Sequence, residues 1–289
     1  MKTLNAIKLV SRFFMLKLNQ VNSDSTVGYD AVAASYDTYS KYFEQSIAQM
    51  VKELPIKPGQ YILDLACGTG VFTHPIAQKV GGQGKVVAVD LSVGMLQRNQ
   101  EKAAFQNLSN ISFLLSDAFS FLSGISDNSV DGIVCAWAMS HMEHGQLLQE
   151  VQRVVKPGGF IGLIEDQPNS LKDVADLFTK ALIDYPDALI KNVSLNLPKN
   201  KDYLVKLLTK QRFQVQKAWE GEVVIPCHNG QEVAEYMLKS ANVGFVDALD
   251  EKFFPQVLQT FISDADERFA KGWEHPLLHK FCAIVGTKV

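Results

Sequence analysis

A doubly wound α/β sheet is the fold class the sequence predicts, and three observations carry it. From about residue 60 onward, short β-branched runs alternate with longer helix-patterned stretches. The runs are apolar on both faces, as strands are when helices cover the sheet on either side and neither face meets water. The first run then opens into a glycine-rich turn that leads straight into a helix. Alternation of this kind gives a parallel sheet, because each strand–helix–strand unit returns the chain in the same direction.

Five strands follow in order: Tyr61–Leu65, Lys85–Asp90, Ile111–Leu115, 130–135 and 160–165. Helices are expected at 71–80, 93–105 and 145–155, the last ending in Lys156-Pro-Gly-Gly159, which reads as a stop and a turn into the next strand. Strands at 213–219 and 280–287 bring the sheet to seven. The stretch between those two is helical in pattern, at 231–240 and Phe254–Phe269, and is long for a simple strand connection. It is expected to form a helical cap inserted at 221–279. Residues 29–54 also look helical, so the chain divides into an N-terminal helical segment, 1–54, and a sheet domain, 55–289, that carries the cap.

Composition narrows the function classes. Apolar residues are 47% and charged residues 20%, globular values that exclude a disordered chain. Twenty-eight Lys and Arg against 31 Asp and Glu leave a net charge of −3, which gives no whole-chain attraction to nucleic acid. The longest apolar run, 133–139, is far short of a membrane span. Cys67, Cys135, Cys227 and Cys282 are scattered without a C-x-x-C pair, which favours a reducing, cytoplasmic setting over a disulfide framework or zinc site. Residues 1–23 break the charge balance, since Lys2, Lys8, Arg12 and Lys17 stand unopposed until Asp24 among Ile7, Val10, Phe13, Phe14 and Leu16. An organelle transit segment, an interfacial amphipathic helix, and a helix packed on its own domain or on a second copy all have this pattern. The packed helix is preferred.

The chemistry lies in Leu63-Asp-Leu-Ala-Cys-Gly-Thr-Gly70. A strand running into a glycine turn and a helix lets backbone approach a ligand at the helix N-terminus, and a nucleotide-type ligand at the carboxyl ends of parallel strands follows. A dinucleotide fingerprint needs glycine at 73, where this chain has Thr73. Asp64 would repel a pyrophosphate and suits a ligand carrying an ammonium group, such as the methionine tail of S-adenosylmethionine. Asp90 ends the second strand, where a carboxylate accepts hydrogen bonds from both ribose hydroxyls. Asp117 follows the third strand and can accept from an exocyclic amine such as that of adenine. The competing reading is that all three carboxylates only cap turns or helices.

Asp64-Leu-Ala-Cys-Gly-Thr-Gly70, Val87-Ala-Val-Asp90-Leu-Ser-x-x-Met95-Leu96, Ser116-Asp-Ala118 and Val155-Lys-Pro-Gly-Gly159 occur in the order and spacing of the class I S-adenosylmethionine-dependent methyltransferases, and the sequence resembles that family over about residues 29–166. The likeness is greatest to the group around quinone-biosynthesis and natural-product enzymes. It implies a seven-stranded Rossmann-like sheet and S-adenosylmethionine as cofactor. It implies further that Asp64, Ala66, Gly68 and Gly70 line the methionine and ribose end, Ala66 standing where many members have glycine. Leu91 and Met95 would contact adenine, Asp117 and Ala118 its edge, and Tyr36 would close over the cofactor.

After the fourth strand comes Cys135-Ala-Trp-Ala-Met-Ser-His141-Met-Glu-His144. Members that methylate planar amide or base nitrogens carry an Asp/Asn-Pro-Pro-aromatic motif here, which this chain lacks. Trp137 and Met139 would instead wall the methyl site. His141 is the candidate general base, being the side chain that titrates near neutrality; packing or capping is its alternative. His141 and His144 without a third ligand at readable spacing do not make a metal site, and Glu165 closes the fifth strand. The expected function is methyl transfer to a small or medium-sized, partly apolar acceptor by in-line displacement. A nicotinamide-dependent oxidoreductase and a cofactor-binding protein without transfer activity are the alternatives. Tyr236, Met237, Phe245 and Phe253 in the cap would help enclose the acceptor, and the basic N-terminal helix would be the place for self-association.

Overall fold

The computed structural model describes residues 2–240 and 247–289. Phe245 lies outside them. The chain forms two compact units: a sheet unit of Phe43–Pro168, Leu195–Glu222 and Lys280–Val289, and a helical unit of Met1–Tyr42, Asn169–Ser194 and Val223–His279.

Seven strands make one sheet in the order β3-β2-β1-β4-β5-β7-β6. They are β1 (Tyr61–Leu65), β2 (Lys85–Asp90), β3 (Ile111–Leu115), β4 (Val130–Ala136), β5 (Val155–Asp166), β6 (Phe213–Ile225) and β7 (Leu277–Lys288). The first five pair in parallel and β7 runs antiparallel to β5. Strand order reverses at β1, which has β2 on one side and β4 on the other. A crevice opens at such a switch point, outside the carboxyl ends of the strands.

Helices in the sheet unit are α3 (Glu44–Glu53), α4 (Thr73–Val80), α5 (Val93–Phe105), α6 (Ala118–Ser123), α7 (His144–Val154) and α9 (Lys201–Lys210). Each buries one stripe: Leu147, Leu148, Val151 and Val154 of α7 pack with Leu63, Ile133, Ile161 and Leu163 of the strands. The periodicity behind the expected helices at 93–105 and 145–155 therefore marks the buried faces. Lys156-Pro-Gly-Gly159 departs from its reading as a turn. Val155 already pairs with Val130, and the register slips before Gly132 meets Phe160, so these residues form an irregularity inside β5. Gly158, at φ +78°, absorbs the bend without ending the strand.

The helical unit holds α1 (Lys2–Leu18), α2 (Ser25–Val32), a 3-10 helix at Tyr36–Phe43 that ends at the unit boundary, α8 (Lys172–Asp184), α10 (Gly230–Lys239) and α11 (Phe254–Phe269). A Cβ on Gly230 would come within 2.3 Å of the Ile262 carbonyl, so glycine is what lets α10 approach α11. Tyr236, buried on α10, sits 2.6 Å from His279 Nε2 through its hydroxyl, and Met237 and Phe253 are half-buried.

Gly132 of β4 lies opposite Phe160, and a Cβ there would come within 2.3 Å of that fully buried ring. Gly132→Ala should lower stability by about 1–3 kcal/mol through overpacking. Urea denaturation checks this: an unchanged midpoint at unchanged slope would show that the ring moves aside at no cost.

Candidate active site

Three residues in five adopt left-handed backbone where β1 gives way to α4: Ala66 at φ +53°, Gly68 at +51° and Gly70 at +90°. Such a conformation costs a residue with a Cβ about 1–2 kcal/mol, which explains the pull toward glycine at position 66. The turn is tied down from β2. Asp90 accepts from the Gly68 N–H at 2.7 Å with Oδ2 and from the Ser92 N–H at 2.9 Å with Oδ1.

A second tie comes from Asn99 of α5, which sequence reasoning missed. Its Nδ2 donates to the Gly68 carbonyl and to Thr73 Oγ1, both at 3.2 Å. Its Oδ1 lies 2.8 Å from His74 Nε2, and an amide oxygen only accepts, so that nitrogen carries the proton. A Cβ on Gly70 would fall 2.3 Å from Asn99 Oδ1 and 2.7 Å from His74 Nε2. Glycine at 70 is thus demanded twice, by φ and by the network beneath it. The signal for Asn99 was legible: a polar residue on the apolar stripe that includes Leu96 and Ala103.

Asp64 is buried at the end of β1, opposite Ala88 and Val134. Thr73 Oγ1 donates to its Oδ2 at 2.5 Å. Burial, opposed by that hydrogen bond and reinforced by the Asp90 charge, pushes its pKa up to about 7. None of the ion pairs among the described residues reaches it. The Thr73 hydroxyl that holds Asp64 occupies the position where a dinucleotide fingerprint would need glycine.

The remaining expected cofactor residues are more dispersed. Asp117 caps α6, accepting from the Ser120 N–H at 2.9 Å, and Ala118 is buried behind it. Capping was the competing reading for Asp117. Leu91 is half-exposed after β2, while Met95 is buried in the first turn of α5. Tyr36 belongs to the helical unit, edge-on to Tyr29 with ring centroids 6.2 Å apart.

On the other side of β1, the loop after β4 begins with Trp137 at φ +50°, uncommon for a bulky side chain. Its N–H donates to the Ile164 carbonyl at 2.8 Å, and its indole packs edge-on against Phe43 at 5.4 Å. The indole Nε1 is buried without a partner among the described residues. Met139 is fully buried in the core and does not wall a surface, which corrects the sequence reading for it. Glu165 braces the loop: Oε2 accepts from the Ser140 N–H and Oε1 from the Asp166 N–H, both at 2.9 Å. Burial first, then the neighbouring Asp166 charge, raises its pKa to about 8. His144 Nε2 donates to the Met139 carbonyl at 3.1 Å, which leaves Nδ1 to accept from the Tyr203 hydroxyl at 3.0 Å. Both its nitrogens are thus engaged in holding the loop. His141 presents an exposed edge, yet the protein packed about it lowers its pKa, so it is neutral near pH 7.

Two buried carboxylates that hold protons in the fold and release them when unfolded set a pH slope. Below about pH 4 both states are protonated; between there and about 7 to 8 the folded state alone keeps the protons. Their ionisation should therefore make stability fall as pH rises through that window. Denaturant titrations from pH 4.5 to 8.5 (about the range set by these groups) should show a shallower fall for Asp64→Asn than for the native chain. Parallel curves would mean that Asp64 ionises freely.

Comparison with known proteins bears on the family and the fold. A methyltransferase-domain family profile matches residues 62–159. A demethylmenaquinone methyltransferase of Symbiobacterium thermophilum is 35% identical over 150 residues, covering 49% of this chain and 59% of that protein. The chain thus spans about three-fifths of that relative's length. A ubiquinone/menaquinone biosynthesis C-methyltransferase of Coxiella burnetii is 30% identical over 206 residues, covering 64% of this chain and 81% of that protein. Among solved structures, a candidate methyltransferase of Bacillus halodurans superposes with a TM-score of 0.57 at 17% identity, over 84% of this chain and 99% of that one; this likeness bears on the fold. The chain belongs to the class I S-adenosylmethionine-dependent methyltransferases.

Proposed function

We propose that this chain binds S-adenosylmethionine on the β1–α4 turn and transfers its methyl group to a small or medium-sized, partly apolar acceptor. The observation that carries this reading is Asp64: a buried carboxylate, free of ion pairs among the described residues and raised to about 7, is built to receive a cation. The cofactor's ammonium is such a cation, and Asp90, a carboxylate at the end of β2, is assigned to the two ribose hydroxyls. Asp117 and Ala118 are assigned to the adenine edge, with Leu91 and Met95 beside the ring; Ala66, Gly68 and Gly70 give the backbone approach, and Tyr36 is assigned to closure. Bound there, the cofactor supplies an activated methyl on a sulfonium, so the reaction needs chiefly positioning and a dry site.

The loop after β4 supports an acceptor side. Trp137 offers an indole N–H with no partner among the described residues, suited to an oxygen of the acceptor. His141, neutral at pH 7, takes a proton where the acceptor must lose one. The two curated relatives are named for demethylmenaquinone and for ubiquinone or menaquinone biosynthesis, so a ring-bearing, partly apolar quinol is the first acceptor to test. Acceptor selectivity is assigned to the segments added to the sheet, 1–54 and 221–279. Four free cysteines fit the reducing cytoplasm we propose as its setting.

Calorimetric titration with S-adenosylmethionine tests the cofactor site. An ammonium beside Asp64 lowers its pKa in the complex, so binding should release a proton below about pH 7 and tighten as pH rises to that value. Asp64→Asn should abolish this dependence, and Asp90→Ala should weaken binding at least about tenfold through two lost charge-assisted hydrogen bonds. Affinity independent of pH in the native chain would sink the assignment of Asp64. For the acceptor side, S-adenosylhomocysteine formation with a demethylmenaquinol is the assay. His141→Ala should slow turnover by about 10²-fold or more while leaving cofactor affinity unchanged. A variant with native turnover would leave His141 a packing residue.

A further inference from the structure

Helix α1 is built inside out. Leu9 alone among its residues is buried, and the contacts that hold it are ionic: Lys8 and Arg12 to Asp187, Lys2 to Asp184, and Arg12 Nε donating to the Leu189 carbonyl. The apolar side chains face away. Leu4 is 70% exposed, Ile7 60%, Phe14 64% and Leu18 65%, with Val10 and Met15 also in solvent. At 100° per residue Leu4, Ile7, Phe14, Met15 and Leu18 fall on one side, opposite Leu9, with only Ser11 among them. A helix that packs on its own domain turns this stripe inward; here the preferred sequence reading holds only for the polar contacts. A contiguous apolar stripe of this size marks an interaction surface.

We propose that the outward face of α1 docks on an anionic lipid bilayer. Charge selects this occupant. Lys17 flanks the apolar stripe at roughly a right angle to its centre, where the side chains of an interfacial helix reach the headgroups, while Lys8 on the other flank stays engaged with Asp187. No acidic residue occurs within Lys2–Leu18. A second copy laid on this face would bring no acid of its own α1 to Lys17, whereas a surface of acidic lipid meets that cation with opposite charge. No helix among the described residues is long and apolar enough to cross a membrane, so contact on this face is with the surface. An enzyme held there would meet apolar acceptors in the phase that dissolves them.

Flotation with vesicles of phosphatidylcholine containing phosphatidylglycerol, beside vesicles of phosphatidylcholine alone, tests the docking. The full chain should float with the anionic vesicles, less so at high salt, and weakly with the neutral ones. Ile7→Asp with Phe14→Asp should reduce the bound fraction at least tenfold. Lys17→Glu, which alters an exposed side chain outside the ion pairs described for α1, should weaken binding about fivefold or more. Melting temperatures should stay put, because all three side chains are exposed; should the double variant fail to fold, Lys17→Glu and the salt dependence still decide. Absence of flotation overturns the proposal. So does a dimer by light scattering that the double variant turns into monomers while neither form floats, since a second copy would then cover the face. Cofactor binding measured on the same samples separates this outcome from failure of the proposed transfer activity.

Discussion

A carboxylate kept out of water at the end of β1 is the constraint on which the site's architecture turns. Asp64 is in the middle strand of the parallel run, where β2 and β4 exclude solvent from either side. Water cannot hydrate it, and the neighbouring Asp90 adds like charge, so its ionised form is disfavoured. Thr73 supplies the one side-chain hydrogen bond described for it, from the first residue of α4. The start of that helix is therefore fixed to the strand that feeds it. Everything between them must turn sharply, which is why three left-handed residues fall within five positions.

That turn is over-determined from outside. Asp90 holds it from β2, and Asn99 holds it from α5, so two successive strand–helix units share one hydrogen-bond network. Asn99 orders Gly68, Thr73 and His74 together, and the space beneath Gly70 is filled by the same amide. Buried polar groups are costly when partly satisfied and rigid when fully satisfied. The donors and acceptors here bond to one another, and Asp64 is a buried carboxylate of that network in no ion pair among the described residues, which is why the proposed cofactor site is centred on it.

The sequence made the parallel sheet legible because strands buried on both faces are unbroken apolar runs, and Tyr61–Leu65 and Lys85–Asp90 were bounded to the residue; Ile111–Leu115 was bounded equally well although it is the edge strand, with Leu114 and Leu115 exposed. The glycine turn and its carboxylates were equally readable, since only backbone freedom and charge were needed to single them out. Asn99 and Glu165 were harder. Their roles depend on which backbone groups lie near, and a sequence shows a buried polar residue without showing whose N–H it meets. The Pro-Gly-Gly of β5 misled for a related reason: local turn chemistry favours leaving the strand, but pairing of Val155 with Val130 keeps these residues within it.

The N-terminal helix shows where periodicity stops being informative. Its apolar residues recur at helical spacing, and that pattern identifies a stripe without stating what the stripe faces. Hydrophobic burial alone would turn Leu4, Ile7, Phe14 and Leu18 against the protein. Asp184 and Asp187 on and beyond α8 reverse the outcome by engaging Lys2, Lys8 and Arg12. Exposed ion pairs of this kind are each worth little, about 0–1 kcal/mol, against about 1.5–3 kcal/mol for burying one large apolar side chain. A helix so oriented leaves the stronger of these two forces unsatisfied while its outer face meets only water. On a lipid surface that face is buried with the ion pairs intact, so hydrophobic burial and charge attraction favour the same orientation.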